Sequence, residues 1–137
     1  MTTRFAIAGL TLGLAAIAGP ALAQRAGAFP QASGQEIYEG ICQGCHMPDA
    51  KGAKGAGVYP ALAGNARLAS KEYPAMVVLR GQKAMPEFGS MFSDAQIAGV
   101  VTYVRSHFGN SYSDSISPDE IKALRPAPPT GTVAAPG

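Results

Sequence analysis

Cys42-Gln43-Gly44-Cys45-His46 decides the reading of this 137-residue chain. Two thiols two residues apart lie on one turn of backbone, and a histidine follows directly. C-x-x-C-H is the spacing at which both sulfurs add to two vinyl groups on one edge of a haem and form thioethers. The histidine then falls under the iron and ligates it through an imidazole nitrogen. Cys42 and Cys45 are the only cysteines, so both serve this site and none is left for a disulfide. The motif predicts one covalent haem c, bound by Cys42, Cys45 and His46, with His46 as an iron ligand.

Two other chemistries use C-x-x-C. A redox dithiol expects a strand before the motif and a thioredoxin-like βαβ pattern, and the upstream segment is not strand-rich. A structural zinc site needs four ligands. The two histidines, His46 and His107, are too far apart for finger-like spacing.

The N-terminus reads as a secretory signal peptide over residues 1–23. Arg4 supplies a positive start, Phe5 to Ala18 is apolar, and Ala21-Leu22-Ala23 gives an A-x-A cleavage site before Gln24. The Gly19-Pro20 break and the small-residue site oppose an uncleaved anchor. No later segment is long and apolar enough to span a bilayer, so no membrane span is expected after cleavage. Covalent haem attachment in bacteria takes place outside the cytoplasmic membrane, so export would bring the motif to where it is loaded. The expected location is the periplasm.

Net charge is +2 and charged residues make up 15% of the chain, which suggests neither nucleic acid nor a polybasic membrane contact. Residues 24–32 read as a loose leader, 33–125 as one domain and 126–137 as a flexible tail. Small domains bury little surface, and a covalent haem would add a large apolar core element.

Within the domain, Ser33-Gly34-Gln35-Glu36 fits a capping box. Ile37 and Ile41 share a face of the helix it starts, with Tyr38 beside them, and this helix delivers Cys42 at its C-terminal end. Residues 47–58 form a Gly-rich loop, and Tyr59 to Asn65 a turn region with side chains suited to a cofactor face. A short helix is expected over Tyr73 to Arg80, with Ser70 as its cap and Gly81 ending it. The loop from Gln82 to Met91 carries Met85-Pro86. Ser93-Asp94-Ala95-Gln96 is a second capping box, opening a helix to Phe108 with an apolar stripe of Ile97, Val100, Val101, Val104 and Phe108 and with Gly109 at C′. Ser117-Pro118-Asp119-Glu120 starts a brief helix to Leu124. No internal repeat and no convincing strand is found.

The second iron ligand decides the chemistry, because a methionine thioether favours ferrous iron and raises the potential. Met47 adjoins His46 and lies on its side of the ring. Met76 reads as a core filler and His107 as a surface histidine. Met85, with Pro86 holding its backbone extended, and Met91 remain as candidates.

These residues together resemble the class I cytochromes c, in particular bacterial ones serving periplasmic dehydrogenases, over about Ser33 to Asn110. The resemblance implies an all-α fold, the class I cytochrome c fold, with three main helices and loops around one covalent haem. It implies that Gly34 and Tyr38 let the first helix cross the last one closely, against Val100 and Tyr103. It implies that the Pro60 carbonyl orients His46, that Leu62 packs on the ring, and that Met85, in Ala84-Met85-Pro86-Glu87-Phe88, is the second iron ligand. Tyr103 to Asn110 is similar to the final helix of cytochrome subunits attached to dehydrogenases, which often carry three haems where this chain has one.

The expected function is one-electron transfer in a periplasmic carrier, not catalysis. Its redox protein partners would be a periplasmic dehydrogenase as donor and a cytochrome or terminal oxidase of the respiratory chain as acceptor. Lys51, Lys54 and Lys83 either steer an acidic partner or are solvated loop charges. The alternative is a haem protein reactive toward a gas or peroxide, with a weak or labile sixth ligand.

Overall fold

The computed structural model describes residues 33–55 and 57–126. The expected signal peptide (1–23), the leader (24–32) and all of the expected tail except Pro126 lie outside the described residues.

Ser33 opens the first helix as expected. Its hydroxyl accepts from the Glu36 N–H, and the Glu36 carboxylate accepts from the Ser33 N–H at 2.9 Å, so two otherwise orphaned donors are satisfied. Helix α1 (Gly34–Ile37) runs without a break into a π-helical turn (Tyr38–Cys42) and then helix α2 (Gln43–His46). At the junction the Gln43 N–H reaches back five residues to the Tyr38 carbonyl. Such widened turns occur mostly as single turns near functional sites. This one starts at the core residue Tyr38 and ends at Cys42, the first residue of the motif.

After α2 the chain forms a two-residue antiparallel ladder, β1 (Ala53–Lys54) with β2 (Val58–Tyr59), pairing Ala53 with Tyr59 and Lys54 with Val58. No strand was expected in this Gly-rich loop. A ladder this short leaves no hydrophobic alternation to read. A 3₁₀ turn follows over Ala66–Ala69, where the Asn65 side chain accepts from the Arg67 N–H.

Helix α3 (Glu72–Arg80) starts one residue earlier than expected, and Ser70 does not cap it. The flanking residue is Lys71, in helical conformation, and the Ser70 hydroxyl bonds the Glu72 carboxylate at 2.6 Å. Gly81 ends α3 at φ +70°, donating to the Val77 carbonyl. Met76 is 37% exposed, so the core-filler expectation fails. The face of α3 that enters the core carries Ala75 and Leu79 instead.

Helix α4 (Asp94–Ser106) has the expected Ser93–Gln96 capping box and buries Ile97, Val100, Val101 and Val104. It ends two residues before Phe108. His107 is extended and Phe108, at φ +58°, takes the left-handed C′ position assigned to Gly109. Phe108 is held there by its ring, 4.7 Å from that of Tyr38. Helix α5 (Pro118–Leu124) has the third capping box, Ser117–Glu120.

The fold is all-α apart from the small ladder. Its helices pack α1 on α4, α4 on α5, and α3 on both α4 and α5. The crossing of α1 and α4 is set by glycine. A Cβ on Gly34 would lie 2.1 Å from the Gly99 carbonyl oxygen and 2.9 Å from the Val100 nitrogen. The contact is therefore with Gly99 first, and Val100 meets it through backbone. Tyr38 meets Tyr103 as expected, at 5.8 Å between ring centres. A Gly34→Ala variant must push the helices apart, and a loss of about 3 kcal/mol is expected for such overpacking. A thermal melt placing the loss below about 1 kcal/mol would contradict this account of the crossing.

Arg105 is fully buried in α4, where the sequence pattern marks no role for it. Its Nε donates to the Leu68 carbonyl (2.8 Å), and its Nη2 to the Ala69 carbonyl (3.0 Å) and to Asp114 Oδ1 (2.8 Å). Its Nη1 bonds the Asp114 carbonyl. The guanidinium also lies over the Tyr112 ring at 5.4 Å. A buried charge is tolerated when each donor is met in this way. The Arg105 hydrogen bond holds the Asp114 carboxyl below its usual range.

Candidate cofactor site

One cavity of about 360 Å³ brings together Cys42, Cys45, His46, Pro60, Leu62 and Met85, every site residue expected from the sequence. They come from different walls. Cys42 closes the π-helical turn, Cys45 and His46 lie in α2, Pro60 and Leu62 follow β2, and Met85 lies in the loop after α3. Val77 and Val78 of α3 and Val100, Val101 and Val104 of α4 supply an aliphatic back wall, with Leu68 from the 3₁₀ turn. Met47, Met76, Met91 and His107 do not line it. His107 is exposed, stacked on Tyr103 at 4.1 Å. Met91 is half-buried against the core.

His46 is buried, and its Nδ1 lies 2.9 Å from the Pro60 carbonyl oxygen. A carbonyl can only accept, so Nδ1 carries the hydrogen and Nε2 keeps its lone pair for a metal. The backbone makes this contact possible. The His46 carbonyl accepts from the Gly52 N–H at 3.0 Å. Gly52 is at φ +65°, and a Cβ there would lie 2.1 Å from the Tyr59 carbonyl oxygen and 2.8 Å from that of Pro60. Glycine at 52 thus lets the Pro60 segment come close enough to meet the imidazole. The Ala50 carbonyl accepts from the Leu62 N–H (2.7 Å) and the Ala63 N–H (2.9 Å), fixing the same segment one step further on.

The turn after the motif is closed by Tyr38. Its hydroxyl donates to the Met47 carbonyl at 2.7 Å, where Met47 is at φ +67°. Burial pushes the Tyr38 phenol up to about 12, so it stays a donor at neutral pH. Asn110 is a further residue to which sequence reading assigns no separate role. It is buried, donates to the Leu62 and Val104 carbonyls (2.9 Å each), and accepts from the Asn65 N–H at 3.0 Å. It ties the Leu62 segment to the end of α4. A polar residue directly after Gly109 was its only signal in the sequence.

The donor set suits a macrocycle better than a bare ion. Among the described residues no group of three or more His, Cys, Asp or Glu side chains could hold a metal. Burial pushes the Cys42 thiol up to about 11, and the nearby Cys45 adds to it. A redox dithiol needs the opposite, a thiolate stabilised at neutral pH. The site instead offers a mostly aliphatic cavity with two thiols and an imidazole at one wall and a thioether from another, which fits a haem. Of the three loop lysines, Lys83 borders the cavity and Lys51 is paired with Asp49 at 3.2 Å. Lys54 is exposed and does not line it.

Comparison with known proteins places the chain in a family. The family described as cytochrome c oxidase, cbb3-type, subunit III matches residues 29–104, and the chain belongs to that family. The fructose dehydrogenase cytochrome subunit of Gluconobacter japonicus is 34% identical over 76% of this chain and 25% of its own length. The cytochrome c subunit of the quinone alcohol dehydrogenase of Gluconobacter oxydans (strain 621H) is 31% identical over 68% of this chain and 22% of its own. The chain thus spans about a quarter of the length of these relatives. Cytochrome c6C from Synechococcus sp. PCC 7002 is 26% identical, with a TM-score of 0.48 over 56% of this chain and 94% of that one. The chain is a cytochrome c-type electron-transfer domain, and its cofactor is covalently bound haem c. No helix among the described residues is long and apolar enough to cross a membrane.

Proposed function

We propose that this chain is a periplasmic one-electron carrier with His/Met ligation, taking electrons from a periplasmic dehydrogenase and passing them to a cytochrome or terminal oxidase of the respiratory chain. In this reading Cys42 and Cys45 hold the haem through thioethers. His46 Nε2 and the Met85 sulfur bind its iron, Pro60 fixes the imidazole, and Leu62 packs on the ring. The haem supplies exchange of one electron between ferric and ferrous iron. The protein supplies soft and neutral ligands, which favour the ferrous state, and an aliphatic wall that keeps water from the site. The observation that carries the reading is the His46–Pro60 hydrogen bond in a cavity that Met85 also lines.

The dehydrogenase partner is supported by two relatives named as dehydrogenase cytochrome subunits. Export is supported by the Ala21-Leu22-Ala23 pattern, with residues 1–23 as the signal peptide and Gln24 as the first mature residue. Expression of the whole chain in a bacterium with haem-attachment machinery tests export and haem attachment at once. The expected product is a periplasmic protein that begins at Gln24 and carries one haem retained under denaturing conditions. A cytoplasmic, colourless product with residues 1–23 intact would contradict the reading.

A further inference from the structure

The loop that carries Met85 is thinly supported. Gln82, Lys83, Ala84, Pro86 and Glu87 are exposed, and the tip is a tight turn in which Gln82 and Met85 exchange two backbone hydrogen bonds of 3.0 Å. On one side α3 holds the loop: the Phe88 N–H donates to the Val78 carbonyl (2.9 Å) and the Gly89 N–H to the Leu79 carbonyl (3.2 Å). On the other side a residue from beyond α5 holds it. Arg125, following α5, donates from Nε to Asp94 Oδ1 (2.5 Å), from Nη2 to the Phe92 carbonyl (2.9 Å) and from Nη1 to the Gly89 carbonyl. It is about three-quarters buried, with 28% of its side chain exposed, and it does not line the cavity.

We propose that Arg125 is a positioning residue for Met85, holding the ligand loop shut over the site from behind. The proposal rests on the reading of Met85 as an iron ligand. Only a planar fork of donors can reach a carboxylate and two carbonyls at three points, so lysine cannot replace it. Segments with few buried contacts open locally at small cost. A clamp on Gly89, Phe92 and Asp94 therefore sets how often Met85 leaves its place, without touching the iron. The two carbonyls belong to the residues that end the loop, and Phe88 and Phe92 stack there at 5.3 Å, so freeing the clamp releases the loop's closing turn as a unit.

The test is competition by imidazole at the iron of the ferric, full-length holoprotein, which reports how often the methionine site stands open. R125M is expected to bind imidazole about tenfold more tightly than the wild type, because apparent affinity scales with the population of the competent state. R125K should fall between the two. K71M cuts a different tie of α5, the 2.7 Å pair between Lys71 and Glu120, and leaves the Met85 loop alone. It should lower the melting temperature while keeping imidazole affinity within about twofold of wild type. Unchanged affinity in R125M overturns the proposal, as does an equal gain in K71M, which would make Arg125 a general fastener of α5. If R125M does not fold, R125K carries the test, and wild-type affinity there overturns the proposal. M85A separates this from the ligand assignment. Loss of the sulfur–iron charge-transfer band in M85A with no effect in R125M removes this proposal alone. Persistence of the band in M85A removes the ligand assignment and this proposal with it.

Discussion

Replacing Cys42 and Cys45 together by alanine is expected to abolish covalent haem and most of the stability of the fold. The two sulfurs are the only cysteines of the chain, so no thioether can form elsewhere. Part of the core faces the haem site. Leu68, Val100, Val101 and Val104 belong both to the buried core and to the lining of a cavity of about 360 Å³. Without the haem, the apolar side chains that line this cavity are left facing water, and their burial no longer contributes to stability. A small domain has about 5–15 kcal/mol in all. The double variant should show no haem mass in intact mass spectrometry. Its circular dichroism should melt without a cooperative transition, or far below the wild-type midpoint. Retained covalent haem, or an unchanged melting curve, would contradict the account.

Met85→Ala is the second large effect. Met85 is half-buried in an exposed loop, and its loss should cost little in global stability but remove the soft ligand. The ferric protein is expected to lose the sulfur–iron charge-transfer band. The reduction potential should fall on the order of 0.1 V, since axial ligands tune haem potentials over a wide range. The reduced protein should gain rapid binding of carbon monoxide. Met91→Ala is expected to do the reverse. It should lose about 2–3 kcal/mol of stability, because Met91 packs against the core, while the band persists. If Met91→Ala loses the band and Met85→Ala keeps it, the ligand is Met91.

What the sequence revealed, and what it hid, follow from the range of the interactions. The three capping boxes at Ser33, Ser93 and Ser117 were legible because each is complete within four residues. The cavity lining was legible at Cys42, Cys45 and His46 because one turn of backbone sets their spacing. Pro60 and Leu62 needed a resemblance, and so did the choice of Met85 over Met91, for which the adjacent Pro86 is only a partial local signal. Arg105 and Arg125 could not be read at all. Each is defined by carbonyls more than thirty residues away, Leu68 and Ala69 for one and Gly89 and Phe92 for the other. The π-helical turn leaves no mark in composition. Gly109 is left-handed as its type suggests, at φ +80°, but the C′ position falls one residue earlier, on Phe108, whose ring packs on Tyr38. Ser70 failed as a cap for a similar reason: the 3₁₀ turn before it, tied by Arg105, fixes where α3 starts.

The central claim is a single six-coordinate haem, bound by His46 and Met85, that exchanges one electron. Spectroelectrochemical titration of the purified holoprotein, with carbon monoxide added at the reduced end point, tests it most directly. The account predicts one wave that fits a one-electron step, a sulfur–iron band present only in the oxidised form, and no rapid change in the reduced spectrum when carbon monoxide is added at neutral pH. Absence of that band together with immediate carbon monoxide binding would contradict it, and would describe a haem with an open sixth position built to bind small molecules.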